Sequence, residues 1–127
     1  MKVYLGPYDD EERVIEVEVH NYDAWGADHT LSFIIVPVLQ ELRNSLHGAP
    51  ALFSSDVPTD LCSYEEDEDW NKADEFEMNI FRTWENILDE MIWAFTIIRD
   101  EEEEDVDWER VERGCLLFGK FFRNLWD

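Results

Sequence analysis

An excess of 32 Asp and Glu over 10 Lys and Arg, in 127 residues that are still 45% hydrophobic and 14% aromatic, sets the terms for any fold this chain adopts. Disordered polyanions reach such a charge by giving up the residues that build a core, and this chain has kept them. The net charge of -22 must therefore lie on the outside of something folded. Repulsion among so many carboxylates works against the compact state, so the excess is expected to serve the field it creates. Solubility alone would account for the same composition.

The sign of the field restricts the partner. Nucleic acid and anionic membrane surfaces are bound through clustered Lys and Arg and would be repelled. A basic groove on another protein would be attracted. The charge is also uneven: residues 56–78 hold ten acids against one Lys, and residues 100–112 nine against one Arg. These two segments supply 17 of the 22 net negative charges.

The length fits a single domain, residues 1–127, able to bury roughly two thirds of its unfolded surface. No apolar run follows a basic N-terminal segment, and nowhere do about 18 apolar residues occur in succession, which points to a soluble, cytoplasmic protein. Cys62 and Cys115 lack the CxxC spacing and read as free thiols of a reducing compartment.

Ile15, Val17 and Val19 alternate with Glu16 and Glu18, the period of a strand with one buried face. Val3 and Leu5 supply a shorter partner, and the Gly-Pro and Asp-Asp pairs between them make a hairpin connection. From Thr30 the spacing is helical, with Leu31, Ile34, Ile35, Val38, Leu39, Leu42 and Leu46 on one stripe, Asp28 as N-cap and Gly48 with Pro50 as the stop. Pro37 inside this helix predicts a kink. Residues 49–73 read as an acidic surface linker. A second helix is predicted over about 74–99, its stripe Phe76, Ile80, Trp84, Ile87, Leu88, Met91 and Phe95, with Trp93 and Ile98 beside it. The acidic run 100–105 breaks it by like-charge repulsion. A third helix over about 106–125 would bury Trp108, Val111, Cys115, Phe118, Phe122 and Leu125. Gly114 and Gly119, each costing about 1 kcal/mol against Ala in a helix, point to close approach of another backbone. The expected fold is α+β, a small N-terminal antiparallel hairpin packed against three helices.

Motifs for chemistry are sparse. Asp28 next to His29 is the nearest approach to an acid/base pair, but two residues are not a mechanism, and an N-cap beside a packed His accounts for both. His20, His29 and His47 lack the i, i+3 or i, i+4 spacing that presents two metal ligands from one turn; on a continuous helix His29 and His47 would stand roughly 27 Å apart. The acidic runs lack the spaced Asp/Asn ligands and central Gly of a calcium loop. There is no GxSxG, phosphate loop or GxGxxG. The chain is thus expected to be no enzyme and to need no metal or cofactor. Six tryptophans exceed the needs of so small a core. Trp84 and Trp108 fit helix stripes, whereas Trp70, among Glu68, Asp69 and Lys72, suits a surface contact with a partner's Arg.

The blocks Trp25-Gly-Ala-Asp28-His29-Thr30-Leu31, His47-Gly48-Ala49-Pro50, Asp89-Glu90-Met91-Ile92-Trp93-Ala94-Phe95 and Leu117-Phe118-Gly119-Lys120 with Leu125-Trp126-Asp127 span nearly the whole chain. In them the sequence resembles an uncharacterised family of small acidic proteins of tailed bacteriophages. The resemblance implies a phage origin and the cytoplasm of an infected bacterial host, without implying an activity. The run Asp100 to Asp105 departs from it in being heavier in acid. By analogy, polyanionic phage proteins imitate DNA and occupy the basic grooves of host enzymes.

Two readings follow. The first is a non-enzymatic decoy for a basic nucleic-acid-binding or defence protein, engaging it through Glu65, Glu66, Asp67, Glu68, Asp69 and Trp70 and through Asp100, Glu101, Glu102, Glu103, Glu104, Asp105 and Asp107. The second is a binder that sequesters a nucleotide signal in a pocket around Trp25, Asp28, His29, Pro37, His47 and Trp126, reached past Arg43, Arg82, Arg110, Arg113, Lys120 and Arg123.

Overall fold

Valine and isoleucine in alternation favour the pleated backbone, and the N-terminus forms a two-stranded antiparallel hairpin, β1 (Lys2–Leu5) and β2 (Ile15–Glu18), with Val3 opposite Val17 and Leu5 opposite Ile15. The computed structural model describes residues 1–8, 12–63, 73–101 and 104–127. Among the described residues four α-helices follow: α1 (Asn21–Trp25), α2 (Ala27–Asn44), α3 (Ala73–Asp100) and α4 (Trp108–Lys120). The architecture is α+β, as the order of patterns in the sequence predicts.

The hairpin differs from expectation in one respect. No face of it is buried: Val3, Leu5, Ile15 and Val17 are 40 to 64% exposed, and neither strand packs on a helix. What ties it down is polar. The N-terminal ammonium of Met1 lies 2.9 Å from Asp23 Oδ2 at the start of α1, and the His20 N–H donates to the same oxygen.

The long helix α3 is the axis of the core, with α2 packed on one side and α4 on the other. Its predicted stripe holds: Trp84, Ile87, Leu88 and Met91 are fully buried and Phe95 nearly so. It ends at Asp100, where the acidic run begins, as the repulsion among consecutive carboxylates requires.

Both flanking helices keep part of their predicted faces, Leu39 and Val111 buried and Ile35, Leu42, Leu46, Cys115, Phe118 and Leu125 packed against the core, but are turned from the rest. On α2 the buried line is Ser32, Val36 and Leu39, while Leu31 and Val38 are half exposed or more. Ser32 tolerates burial because its hydroxyl donates to the Asp28 carbonyl at 2.7 Å. Asp28 is accordingly not the N-cap; the helix starts at Ala27 behind Gly26. It runs through Pro37, which is exposed, and stops at Asn44 rather than at Gly48, the Ser45 N–H closing on the Glu41 and Leu42 carbonyls.

On α4 the buried line is Val111, Gly114, Leu117 and, just past its end, Phe121. Trp108 and Phe122 are exposed at 52% and 60%. Gly114 causes the rotation. A Cβ there would stand 2.3 Å from the Ala94 Cβ and 3.0 Å from the Glu90 carbonyl oxygen, so the helices cross with bare backbone at the contact. Trp108, six residues earlier at about 100° per residue, is carried about 120° away from that line. Gly119 has no such neighbour and faces open space. Gly114→Leu is expected to separate α3 from α4 and lower stability by about 3 kcal/mol, whereas Gly119→Ala should raise it slightly, as chemical denaturation would read.

Of the predicted surface linker 49–73, residues 64–72 lie outside the described residues, and 49–63 is anchored in the core rather than free on the surface. Leu52, Val57 and Leu61 insert into the core at 6 to 9% exposure, anchored where the Ser63 N–H donates to Thr83 Oγ1 and Asn86 Nδ2 to the Leu61 carbonyl. Among the described residues no helix is long and apolar enough to cross a membrane.

Candidate functional site

Of the predicted partner-binding residues, Glu65 to Asp69, Trp70, Glu102 and Glu103 lie outside the described residues. The others surround the connection from α3 to α4. Asp100, Glu101, Glu104, Asp105 and Asp107 are all exposed. Glu101 and Asp105 have φ of 54° and 53°, the left-handed region that costs a non-glycine residue about 1 kcal/mol or more. Asp107 is the N-cap of α4 and accepts the Arg110 N–H at 3.1 Å. Glu109 and Glu112 continue the exposed acids along that helix.

Six of the described basic side chains are already held by carboxylates of the same chain. Arg43 reaches Glu85 at 2.7 Å and Asp89 at 3.0 Å, Arg99 reaches Asp100 at 2.9 Å, Lys2 lies 3.9 Å from Glu16, and Lys120 lies 3.4 Å from Asp56. The tightest cluster centres on Glu90, a carboxylate on α3 only 4% exposed. Arg110 bonds both its oxygens at 2.8 and 3.1 Å, Arg113 bonds one at 2.7 Å, and Arg113 also grips Asp60. The Arg110 guanidinium lies 3.9 Å from the centre of the Trp93 ring. Burial pushes the Glu90 carboxyl up, but the two guanidiniums outweigh it and hold its pKa below the ordinary 4.5. Sequence reasoning missed this cluster. The available signal was a lone acid pair inside the apolar stretch 87–98, with arginines at i and i+3 on the next helix. An open cleft of about 550 Å³ lies over it, lined by Asp60, Leu61, Glu90, Asp107, Glu109, Arg110 and Arg113.

Of the six residues of the predicted pocket, Trp25, Asp28 and His29 lie at one end of α2, His47 and Trp126 at the other, and Pro37 is exposed between them. At one end His29 is half buried; its Nδ1 lies 3.4 Å from the Ile98 carbonyl oxygen and 3.5 Å from Glu101, and its ring meets Phe33 edge-on. Its polar partners are therefore at the C-terminal end of α3 and just beyond it, not Asp28. Trp25 is 89% exposed on α1. At the other end His47 and Trp126 do meet, in a cavity of about 370 Å³ with Gly48, Ala49, Pro50, Asn124 and Asp127. The Asp127 side chain accepts the His47 N–H at 2.7 Å and contacts His47 Nδ1 at 2.6 Å. These bonds hold the Asp127 carboxyl below its usual range. That lining contains no Lys or Arg.

Cys62 and Cys115 are not joined. Burial, and secondarily the carboxylates of Asp28 and Glu112, push the Cys115 thiol up, away from the nucleophilic thiolate. Among the described residues no three His, Cys, Asp or Glu side chains are placed to hold a metal ion. Compared with known protein families, curated proteins and solved structures, the chain matches none.

Proposed function

We propose that this protein acts by stoichiometric binding, as an acidic decoy that occupies the basic nucleic-acid-binding surface of a host or defence protein in a phage-infected bacterium. The observation that carries this reading is the disposition of charge. Arg43, Arg110, Arg113, Lys2 and Lys120 are paired with carboxylates elsewhere in the fold, and Arg99 meets Asp100 of the connection, so most of the exposed acids described at the α3–α4 connection keep their field. A field of one sign steers a basic partner and speeds its capture by a factor of about 10 to 1,000. Glu101 and Asp105 add support: acids stand there in backbone conformations that favour glycine. A nucleotide-binding role is less well served, because the His47–Trp126 cavity offers phosphate an aspartate and no Lys or Arg.

Neutralising Glu65 to Asp69 and Asp100 to Asp105 with Asp107 to the corresponding amides is expected to slow association with basic DNA-binding proteins by about tenfold or more. Binding of the unaltered protein should weaken with salt and compete with duplex DNA. Retention of the same proteins by the neutralised variant, or their retention in the presence of excess duplex, would refute the decoy.

A further inference from the structure

We propose that β1 is a self-pairing edge through which two copies of this chain join their hairpins into one four-stranded antiparallel sheet. The hairpin lacks what usually sustains one: two strands alone are marginal in water, and this pair rests on no helix. Its apolar side chains Val3, Leu5, Ile15 and Val17 share one face, and all are exposed.

The backbone selects both edge and register. Gly6 donates its N–H to the Val14 carbonyl at 2.8 Å, which phases the ladder. Lys2, Tyr4 and Gly6 direct their backbone groups inward to β2, and Val3 and Leu5 direct theirs outward. A two-fold axis at Tyr4 then sets Val3 opposite Leu5 of the second copy and Leu5 opposite its Val3, two hydrogen-bonded pairs with every apolar side chain on the same face. Tyr4 meets Tyr4, and Lys2 meets Gly6, so no like charges are opposed. The β2 edge cannot do this. Its outward residues are Ile15 and Val17; two-fold registers centred on Glu16 or Val17 place Glu16 against Glu16 or against Glu18 of the other copy, and one centred on Ile15 places Glu12 against Glu18, each a destabilising like-charge pair. Charge thus makes one edge of the hairpin self-complementary and guards the other.

A four-residue edge buries less than the roughly 1,200 Å² of a standard interface, so the association is weak. Each copy also carries -22. Dimerisation should therefore strengthen with salt, as the screening length falls from about 10 Å at 0.1 M to about 3 Å at 1 M, opposite in sign to capture of a basic partner. The dimer stands or falls independently of the decoy reading.

Sedimentation of the full chain at low and high salt, at concentrations on the order of hundreds of micromolar, tests the pairing. The expected result is a monomer–dimer equilibrium shifted to dimer at high salt. Val3→Pro removes an outward N–H from each copy without touching the β1–β2 ladder and should weaken association about tenfold. Tyr4→Cys should form a disulfide between residues 4 of two chains under mild oxidation, identified by peptide mass, and Glu16→Cys should not. A monomer at every salt concentration, dimerisation unaffected by Val3→Pro, or equal crosslinking through positions 4 and 16 would overturn the proposal.

Discussion

Replacement of Glu90 by Ala is expected to lower the unfolding free energy by about 3 kcal/mol, because it strands Arg110 and leaves Arg113 with Asp60 alone. Arg110 and Arg113 keep 44% and 32% of their side chains exposed, so they can recover part of their hydration, which places the cost at the lower end of the range for a broken buried pair. Glu90→Gln should cost less near neutral pH, since an amide oxygen still accepts one guanidinium. Its pH dependence is the sharper test. The folded-state pKa of Glu90 lies below its ordinary value of 4.5, so its contribution is complete above that value and disappears as pH falls through the folded-state pKa. The stability gap between wild type and Glu90→Gln should thus close in acid, below about pH 4.5. A gap that stayed constant from pH 7 to pH 3 would show that the ion pair contributes nothing. Replacing Glu90, Arg110 and Arg113 together by Leu should recover much of the loss.

Trp84→Ala is expected to cost about 4 kcal/mol. The side chain is fully buried at the centre of α3 and meets the Phe121 ring edge-on, with centroids 5.7 Å apart. Its removal opens a cavity where α3 joins the end of α4, and neither helix can close it without losing the contact at Gly114. Urea denaturation should show a lower midpoint with unchanged slope. A loss below about 1 kcal/mol would mean that the surrounding side chains had collapsed into the space.

The two helices read most differently from the sequence show what patterns can carry. The spacing in 76–95 specified α3 and its buried face, since an axial helix packed on two sides is apolar over a wide arc and small errors of phase do not matter. For α2 and α4, each with one packed side, phase is everything. Ser32 looked polar and Gly114 looked like a defect, yet both lie on the contact line, the first because its own backbone satisfies its hydroxyl, the second because bare backbone lets α4 approach Ala94. Leu52, Val57 and Leu61 were hidden for another reason: an irregular segment has no period, so burial there leaves no signature. At the candidate site, the acids were legible as composition, but the engagement of nearby arginines by a buried carboxylate was not. That depended on Arg110 and Arg113 turning inward to Glu90, a pairing across 20 and 23 residues.

By itself, the sequence determined the element types, the end of α3 at Asp100 and the sign of the field, because propensity, like-charge repulsion and net charge are local or additive quantities. Only the tertiary structure decided which faces are buried, which carboxylates are spent on internal arginines, and that the hairpin stands away from the core with its apolar face open. Those outcomes depend on which side chains meet across tens of residues, and a one-dimensional pattern does not contain them.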